Sequence, residues 1–575
     1  MLSSFGISDW MIIVVETIDI KKTKNILPRQ SVLDKIRMDF ASKSADRCVS
    51  ILNPLKFENK STESFRSMVQ RMRHLILSGY NKNIVKYEEI IRSRREERNK
   101  EDWDFCSYFL LQEKLAFVLE MLSLHSDALV QYDELDAMFN LFVMNTAFGE
   151  KPKWMSTFEK PLNSFRGITM CKKDIEEFRA KIIDRTVTLI EFRNYLFQRQ
   201  CVLLNAMGNQ WEIAQRLFPF LFSTLRETEA LRLESYQGSL ACWQFVNCME
   251  VLNLCDGVNG TENIIKCSQF TASIWNLAKD KLYELGKLCG LLPSFTPTSE
   301  QLHIVVQLSS AIGDAPVRDE SELLELERQR SNSPSRWRQP KPGCEKLREA
   351  LGSNEGFKKL YLELSELAIS TYKHVSRLRS ARLVGLDLGN FYCSLNEPNK
   401  AIVFFTDLLR ELKNEKWSAL ASQTLLELAS CYKKMDDMLS YTKICAAISC
   451  CVDLEVLVRT FYFDEFLKCL KLLTTANNLV PLEDHFKILD IHLFNKSPVI
   501  QDSVLTVELK IESNFPREII CELIAINYEL VGKQQSQDLA TEFDMLPFTI
   551  VLDHKQDNSL SGASVICENK EKIRR

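Results

Sequence analysis

Residues that turn or break a chain are scarce in this sequence. It has 18 glycines and 16 prolines in 575 residues, against averages of roughly 7% and 5%. A chain so poor in turn-formers is built mostly of long helices, and a fold dominated by tight turns is excluded. No excess of one charge exists either: 73 lysines and arginines face 77 aspartates and glutamates, a net charge of -4. That balance favours neither a nucleic-acid groove nor a strongly basic membrane face. The longest early apolar run, residues 10–15, falls far short of the roughly 20 residues of a membrane span. With no basic stretch before it and no small-residue cleavage site after it, it is not a signal peptide.

Motifs of chemistry are missing as well. There is no G-x-x-x-x-G-K-[ST], no G-x-G-x-x-G, no G-x-S-x-G and no H-E-x-x-H. The seven histidines are scattered, and the 18 cysteines never form C-x-x-C. Most cysteines sit within apolar helical stretches, as Cys201, Cys242, Cys248 and Cys445 do, and read as small core residues of a reducing cytosol. No catalytic, cofactor-binding or metal-binding residue is assigned, and no cofactor is expected. Asp133, Glu134 and Asp136 form an acidic cluster. It reads as a solvated face in preference to a general acid/base pair.

What is present is helical pattern. Leu111, Leu115, Val118 and Leu122 fall at offsets 0, 4, 7 and 11, one apolar stripe. His125, Ser126 and Asp127 read as a polar turn. Ala128, Tyr132, Leu135 and Phe139 then mark the inner face of a second, antiparallel helix. Each stripe is too wide for one partner to cover, so the hairpin calls for further helices on either side. Residues 191–225 repeat the theme around Gly208, Asn209 and Gln210. A polar break over 255–263 precedes a helix carrying Ile274, Leu277, Leu282 and Leu285. Phe357, Leu360, Tyr361, Leu364, Leu367, Ala368 and Tyr372 form another strong amphipathic pattern.

Leu388, Gly389 and Tyr392, then Ala401 and Phe405, match the spacing of a tetratricopeptide repeat. Gly and Ala admit close helix crossing while Tyr and Phe fill the gaps. Echoes of this motif elsewhere are not spaced at multiples of 34 residues, so the expectation is an irregular TPR-like α-solenoid.

The ends differ from the middle. Residues 10–15 read as a strand buried on both faces, Ser31 as the N-cap of a helix through Val32, Ile36 and Phe40, and residues 47–52 as a second strand. Residues 1–58 are therefore expected to be the C-terminal remnant of a larger α/β domain. Residues 59–312 are assigned to a first helical solenoid, with a break in its opening helix near Gly79. Residues 313–343 carry Pro, Ser and charge and read as a linker, with Ser333 before Pro334 a candidate phosphorylation site. A second helical segment spans 344–484. From 485 to 575 the pattern alternates, as in Leu505, Val507, Leu509 and Ile511, then Ile524, Ile526, Tyr528 and Leu530, then residues 547–552. This is the expected start of an Ig-like β-sandwich. The fold class is multidomain and mainly α.

One surface feature stands out: the mixed-charge run with a basic excess that holds Arg92, Arg94, Arg95, Arg98 and Lys100. It reads either as a solvated helix face or as a contact for anionic lipid headgroups or an acidic partner.

Longer stretches carry a resemblance. DWMIIVVE (9–16), TKNILPRQSVLDKIRMDF (23–40), DRCVSILNPL (46–55), SYFLLQEKLAFVLEML (107–122) and DALVQYDELDAMF (127–139) all resemble one family, the large subunits specific to the second form of the trafficking protein particle complex, TRAPP II. The resemblance continues through YLFQRQCVLL (195–204), KLYELGKLCGL (281–291) and KLREALGSNEGFKKLYLELS (346–365). Members extend further on both sides, with more α/β domain before Met1 and more sandwich domains after Arg575. The resemblance implies a non-catalytic scaffold in a vesicle-tethering assembly of Golgi traffic, which exchanges nucleotide on Rab-family small GTPases. Implied partners are the companion large subunit 9, the small core subunits and, through the complex, a Rab GTPase. The implied location is the cytoplasm, peripherally associated with Golgi membranes, and no nucleic acid is implied. A standalone helical-repeat adaptor that binds one peptide is the alternative.

Overall fold

In the computed structural model, the described residues are 10–16, 32–40, 47–53, 58–147, 149, 151–162, 175–256, 260–293, 296–311, 342–472, 485–493, 507–517, 524–526 and 548–550. The chain is mainly helical, with a few short strands, and divides into two units, Met1–Ser376 and Arg377–Arg575.

The first unit opens with β1 (Ile12–Glu16), α1 (Val32–Phe40) and β2 (Cys48–Leu52). The strands pair in parallel, Ile12 against Cys48 through Glu16 against Leu52, and α1 packs on β2, so the expected βαβ unit is present. β1 differs from expectation in burial: Ile13 is 39% and Val15 53% exposed. Ile13 and Val15 alternate onto the same face of β1, and that face is open among the described residues. The expected N-cap Ser31 lies outside the described residues.

α2 (Glu58–Glu96) runs unbroken through Gly79, contrary to the expected break. One glycine costs a helix interior about 1 kcal/mol, too little to stop a helix already propagating on both sides. α3 (Phe105–Met121) and α4 (His125–Ala147) form the expected hairpin. Its turn lies at 122–124, however, and His125–Asp127 form the first turn of α4. Ser123 takes a left-handed φ of 62°, and Leu124 N–H closes on the Leu119 carbonyl at 2.9 Å. An aspartate in a first turn, such as Asp127, is favoured by the helix dipole. Ala128, Tyr132, Leu135 and Phe139 are fully buried. On α3 Leu115 of the expected stripe is buried, alongside Phe105, Phe109 and Ala116, while Leu111, Val118 and Leu122 are half-buried. The stripe misjudged this face because α2, α4 and α5 cover α3 from several sides.

A 3₁₀ turn (Lys153–Phe158) and α5 (Ile175–Ile183) lead to α6 (Leu189–Ala206) and α7 (Gln210–Ala230). Thr188 and Glu191 form a reciprocal capping box at the start of α6. The α6–α7 turn uses Gly208 at φ 76°. α8 (Ser239–Cys255), α9 (Thr261–Leu288), α10 (Ser299–Ala311), α11 (Gly343–Leu351) and α12 (Asn354–His374) complete the unit. α9 and α12 cross where a glycine is obligatory: a Cβ on Gly286 would stand 2.2 Å from the Phe357 ring. Residues 313–341 of the expected linker, Ser333 included, lie outside the described residues.

The second unit is the more regular. α13 (Leu378–Ser394), α14 (Pro398–Asn414), α15 (Ser418–Lys434) and α16 (Met438–Ser449) begin 20 residues apart, and the left-handed residues Asn396, Lys416 and Asp436 close them at the same spacing. The hairpin therefore recurs every 40 residues. Leu388, Gly389 and Tyr392 on α13 correspond to Leu428, Ala429 and Tyr432 on α15; Ala401 and Phe405 on α14 correspond to Tyr441 and Cys445 on α16. A comparison with the 34-residue period misses this. The crossing chemistry is as the motif demands: Ala401 and Phe405 are fully buried, and a Cβ on Gly389 would meet Phe405 at 2.6 Å.

α17 (Val456–Leu472) follows, with antiparallel ladders β3 (Phe486–Leu493) with β4 (Val507–Ser513) and β5 (Ile524–Ile526) with β6 (Phe548–Ile550). Phe463 and Phe466 of α17 pack around Phe515. The remaining positions of the expected alternating runs, Leu505, Tyr528, Leu530, Pro547, Val551 and Leu552, lie outside the described residues.

Candidate functional site

The basic run ends α2, where cations are favoured by the helix dipole, and the structure divides it. Arg95 turns inward, donating to the Tyr108 hydroxyl at 3.1 Å and pairing with Glu134 on α4. Burial opposes its charge, but these two hydrogen bonds outweigh it and raise its pKa above the ordinary value. Arg94 and Lys100 both reach Glu97, at 3.5 and 2.8 Å, and the Lys100 hydrogen bond holds that carboxyl below its usual range. Arg92 and Arg98 are exposed and meet no carboxylate among the described residues. The Arg94 carbonyl, near the helix end, is satisfied by the Trp103 indole N–H at 2.8 Å. Of the five cations, Arg95 belongs to the fold and four face outward.

The acidic cluster is partly solvated, as expected, but each of its carboxylates is also paired. Successive helical residues point about 100° apart, so Asp133, Glu134 and Asp136 fan out to different partners. Asp133 takes Arg216 of α7 at 2.7 Å and Gln200 of α6 at 2.9 Å. Glu134 takes Arg95 of α2, and Asp136 takes Arg193 of α6. Arg193 is 2% exposed and also meets Glu227 of α7 at 3.1 Å. α4 is thereby keyed to three helices by charge.

Two further buried groups extend this network. Arg199 pairs with Glu120, donates to the Tyr132 hydroxyl at 3.1 Å and stands over the Phe117 ring at 4.9 Å. Glu113, fully buried, accepts from the Tyr195 hydroxyl and lies 3.3 Å from Arg179. Burial pushes Glu113 above the usual carboxylate range and Glu227 to about 7. Sequence reasoning assigned none of these arginines. The available signal was Arg193 and Arg199 inside the apolar run of α6, because a charge buried there requires a buried partner.

Beside this network lies a groove of about 540 Å³, lined by the 101–104 connection, Lys153, Trp154 and Arg185. Trp103 and Trp154 meet edge to face at 6.3 Å. Asp104 N-caps α3 through Ser107 N–H at 2.8 Å and pairs with Arg185 at 2.7 Å. Burial would raise the Asp104 carboxyl, but its bonds to Arg185 and Ser107 bring it below the usual value. Both signs of charge line the groove, so it is not a dedicated anion cradle. Among the described residues no cluster of His, Cys, Asp and Glu could hold a metal ion, and no helix is long and apolar enough to cross a membrane.

Two family profiles match the chain. One, described as trafficking protein particle complex subunit 10-like, N-terminal, covers residues 1–98, which include the βαβ unit and most of the basic run. The other, described as TRAPPC10/Trs130, NTS-like domain, covers residues 343–460 and so contains the 40-residue hairpins. The chain is 57% identical over 602 residues to trafficking protein particle complex subunit 10 of Drosophila melanogaster, covering 100% of this chain and 52% of that protein. It is 36% identical over 531 residues to the Mus musculus protein of the same name, covering 92% and 41%. It is 26% identical over 297 residues to an Arabidopsis thaliana protein named trafficking protein particle complex II-specific subunit 130 homolog, covering 49% and 22%. The chain spans about half the length of the animal relatives it matches.

Proposed function

The chain belongs to the subunit 10 family of trafficking protein particle complexes, and we propose on that basis that it is a non-catalytic scaffold of the TRAPP II assembly. In this reading the assembled complex tethers vesicles in Golgi traffic and exchanges nucleotide on a Rab-family small GTPase. This chain supplies a stiff helical surface that holds the companion large subunit 9 and the small core subunits in place. The observation that carries the reading is the similarity to subunit 10 proteins along the whole chain.

The physics is compatible with a scaffold. Stacked helices present extended surfaces to partners, and charge keys such as Asp136–Arg193 tie neighbouring helices of the first unit at defined points. The outward cations Arg92, Arg94, Arg98 and Lys100 are proposed as a contact for an acidic partner or for anionic headgroups of the Golgi membrane. Affinity purification of a tagged full-length version from native lysate tests the assignment. Recovery of subunit 9 and the small core subunits is expected; recovery of neither would defeat it, and a single peptide-bearing partner would favour an adaptor.

A further inference from the structure

The described cysteines are mostly buried and inert, but two meet across the second unit. Cys393, near the end of α13, and Cys431, on α15, bring their Sγ atoms to 3.3 Å although 38 residues separate them in sequence. A disulfide is about 2.05 Å long, so closure needs a movement of only about an ångström. Cys431 is 1% exposed, whereas Cys393 is half-buried and reached from solvent. We propose that Cys393 and Cys431 are a hydroperoxide-sensitive thiol pair that closes to a disulfide and ties α13 to α15 across the intervening α14.

The roles of the two sulfurs differ. Either thiol can donate in this contact; the shared hydrogen bond, with the Lys434 charge helping, lowers the Cys393 pKa, while the same bond raises that of Cys431. Cys393, the sulfur that solvent reaches, meets the oxidant first and attacks, and the buried Cys431 resolves. A reactive thiol that is accessible, low in pKa and next to a resolving thiol is the pattern of redox-sensing cysteines. The Cys393 sulfur attacks one peroxide oxygen, the O–O bond breaks, and hydroxide leaves to become water on protonation. Cys393 is then a sulfenic acid. The Cys431 sulfur attacks it, forming the S–S bond and expelling hydroxide, which takes the proton Cys431 surrenders. Two thiols lose two electrons and two protons, and one hydrogen peroxide becomes two waters. Thiol–disulfide exchange with a reducing dithiol reverses the step.

The molecule supplies its own comparisons. Cys201, fully buried, has its thiol pushed well above the usual range and offers an oxidant little thiolate. Cys255 and Cys267 also interact, but there the half-buried sulfur, Cys255, has its pKa raised, and the lowered one, Cys267, is only 4% exposed.

The test treats the intact folded chain with increasing hydrogen peroxide, blocks free thiols with an alkylating reagent, and maps linked peptides by mass spectrometry. The expected result is a Cys393–Cys431 link that forms before any other and disappears with dithiothreitol. In denaturant the preference for that pair should vanish. In Cys431→Ser, dimedone should label Cys393 more strongly than in the wild-type chain. The proposal is overturned if both thiols remain alkylatable at doses that oxidise other cysteines, or if Cys393 passes to sulfinic acid with no link. Persistence of the pairing preference in denaturant would overturn it equally.

Discussion

At the scale of single residues, stability of the first unit turns on charges taken out of water. Glu227 has its carboxyl pushed up to about 7 by burial, against a reference value of 4.5. A carboxyl raised on folding stabilises fully below its unfolded pKa, and that contribution is lost as pH rises through the folded value. Between about pH 4.5 and 7.5 the wild-type chain should therefore lose stability relative to Glu227→Gln by about 3 kcal/mol. Urea titrations at successive pH values measure this, and a pH-independent difference would refute it. Asp104 has the opposite sign: its folded pKa is depressed, so its contribution is present above about pH 4 and lost as pH falls. Asp104→Ala should cost about 1–2 kcal/mol at pH 7, combining the lost cap with the lost Arg185 pair. Near pH 3 the cost should shrink, as thermal denaturation at the two pH values would show. These residues divide what was legible from what was not. Ala128, Tyr132, Leu135 and Phe139 could be placed inside because apolar burial follows helical period. The destinations of Asp133, Glu134 and Asp136 could not, because a charge shows its own sign in sequence but not the helix that answers it.

At the scale of elements, the close crossings make sharper predictions than the apolar stripes. Gly389→Ala forces a methyl to within 2.6 Å of the buried Phe405 ring and should destabilise the second unit by about 1–3 kcal/mol. Gly385 lies one turn away on the same helix, where the nearest contact would be an ordinary 3.5 Å. Gly385→Ala should be neutral or stabilising by up to about 1 kcal/mol. Chemical denaturation of the pair separates crossing geometry from helix propensity; equal effects would sink the argument. The Gly389, Ala401 and Phe405 spacing was readable because small and aromatic residues at a close crossing leave a chemical signature. The turns were harder to place. The α3–α4 reversal uses Ser123, and the reversals of the second unit use Asn396, Lys416 and Asp436, all left-handed without glycine. Reading the turn from the polar His125–Asp127 set the α3–α4 reversal too late, and without glycines to mark them the reversals of the second unit hide their spacing. Gly79 misled in the other direction, since a glycine within a long helix is a small cost and not a stop.

At the scale of the whole molecule, the contact proposed for the outward cations at the α2 end can be tested apart from folding. Reversing Arg92 and Arg98 together to glutamate should leave the thermal midpoint nearly unchanged, since both are exposed and carry no ion pair among the described residues. The same change should lower flotation with vesicles rich in anionic lipid, most at low salt, where surface charge is least screened. Arg95→Glu should instead destabilise the chain, because it loses two hydrogen bonds and sets like charges against Glu134. Unchanged flotation in the double reversal would remove lipid as the contact and leave an acidic protein partner.

The 20-residue cadence of α13 to α16 carries an implication for ancestry. Tyr392, Ala401 and Phe405 mesh only if each rod and its reversal keep a fixed length, so an insertion of a few amino acids inside a rod would rotate the knobs away from their sockets. Duplication or loss of a whole hairpin, about forty amino acids at a step, preserves the mesh. Length variation among natural homologues in this stretch should accordingly come in quanta, with small indels confined to the reversals themselves.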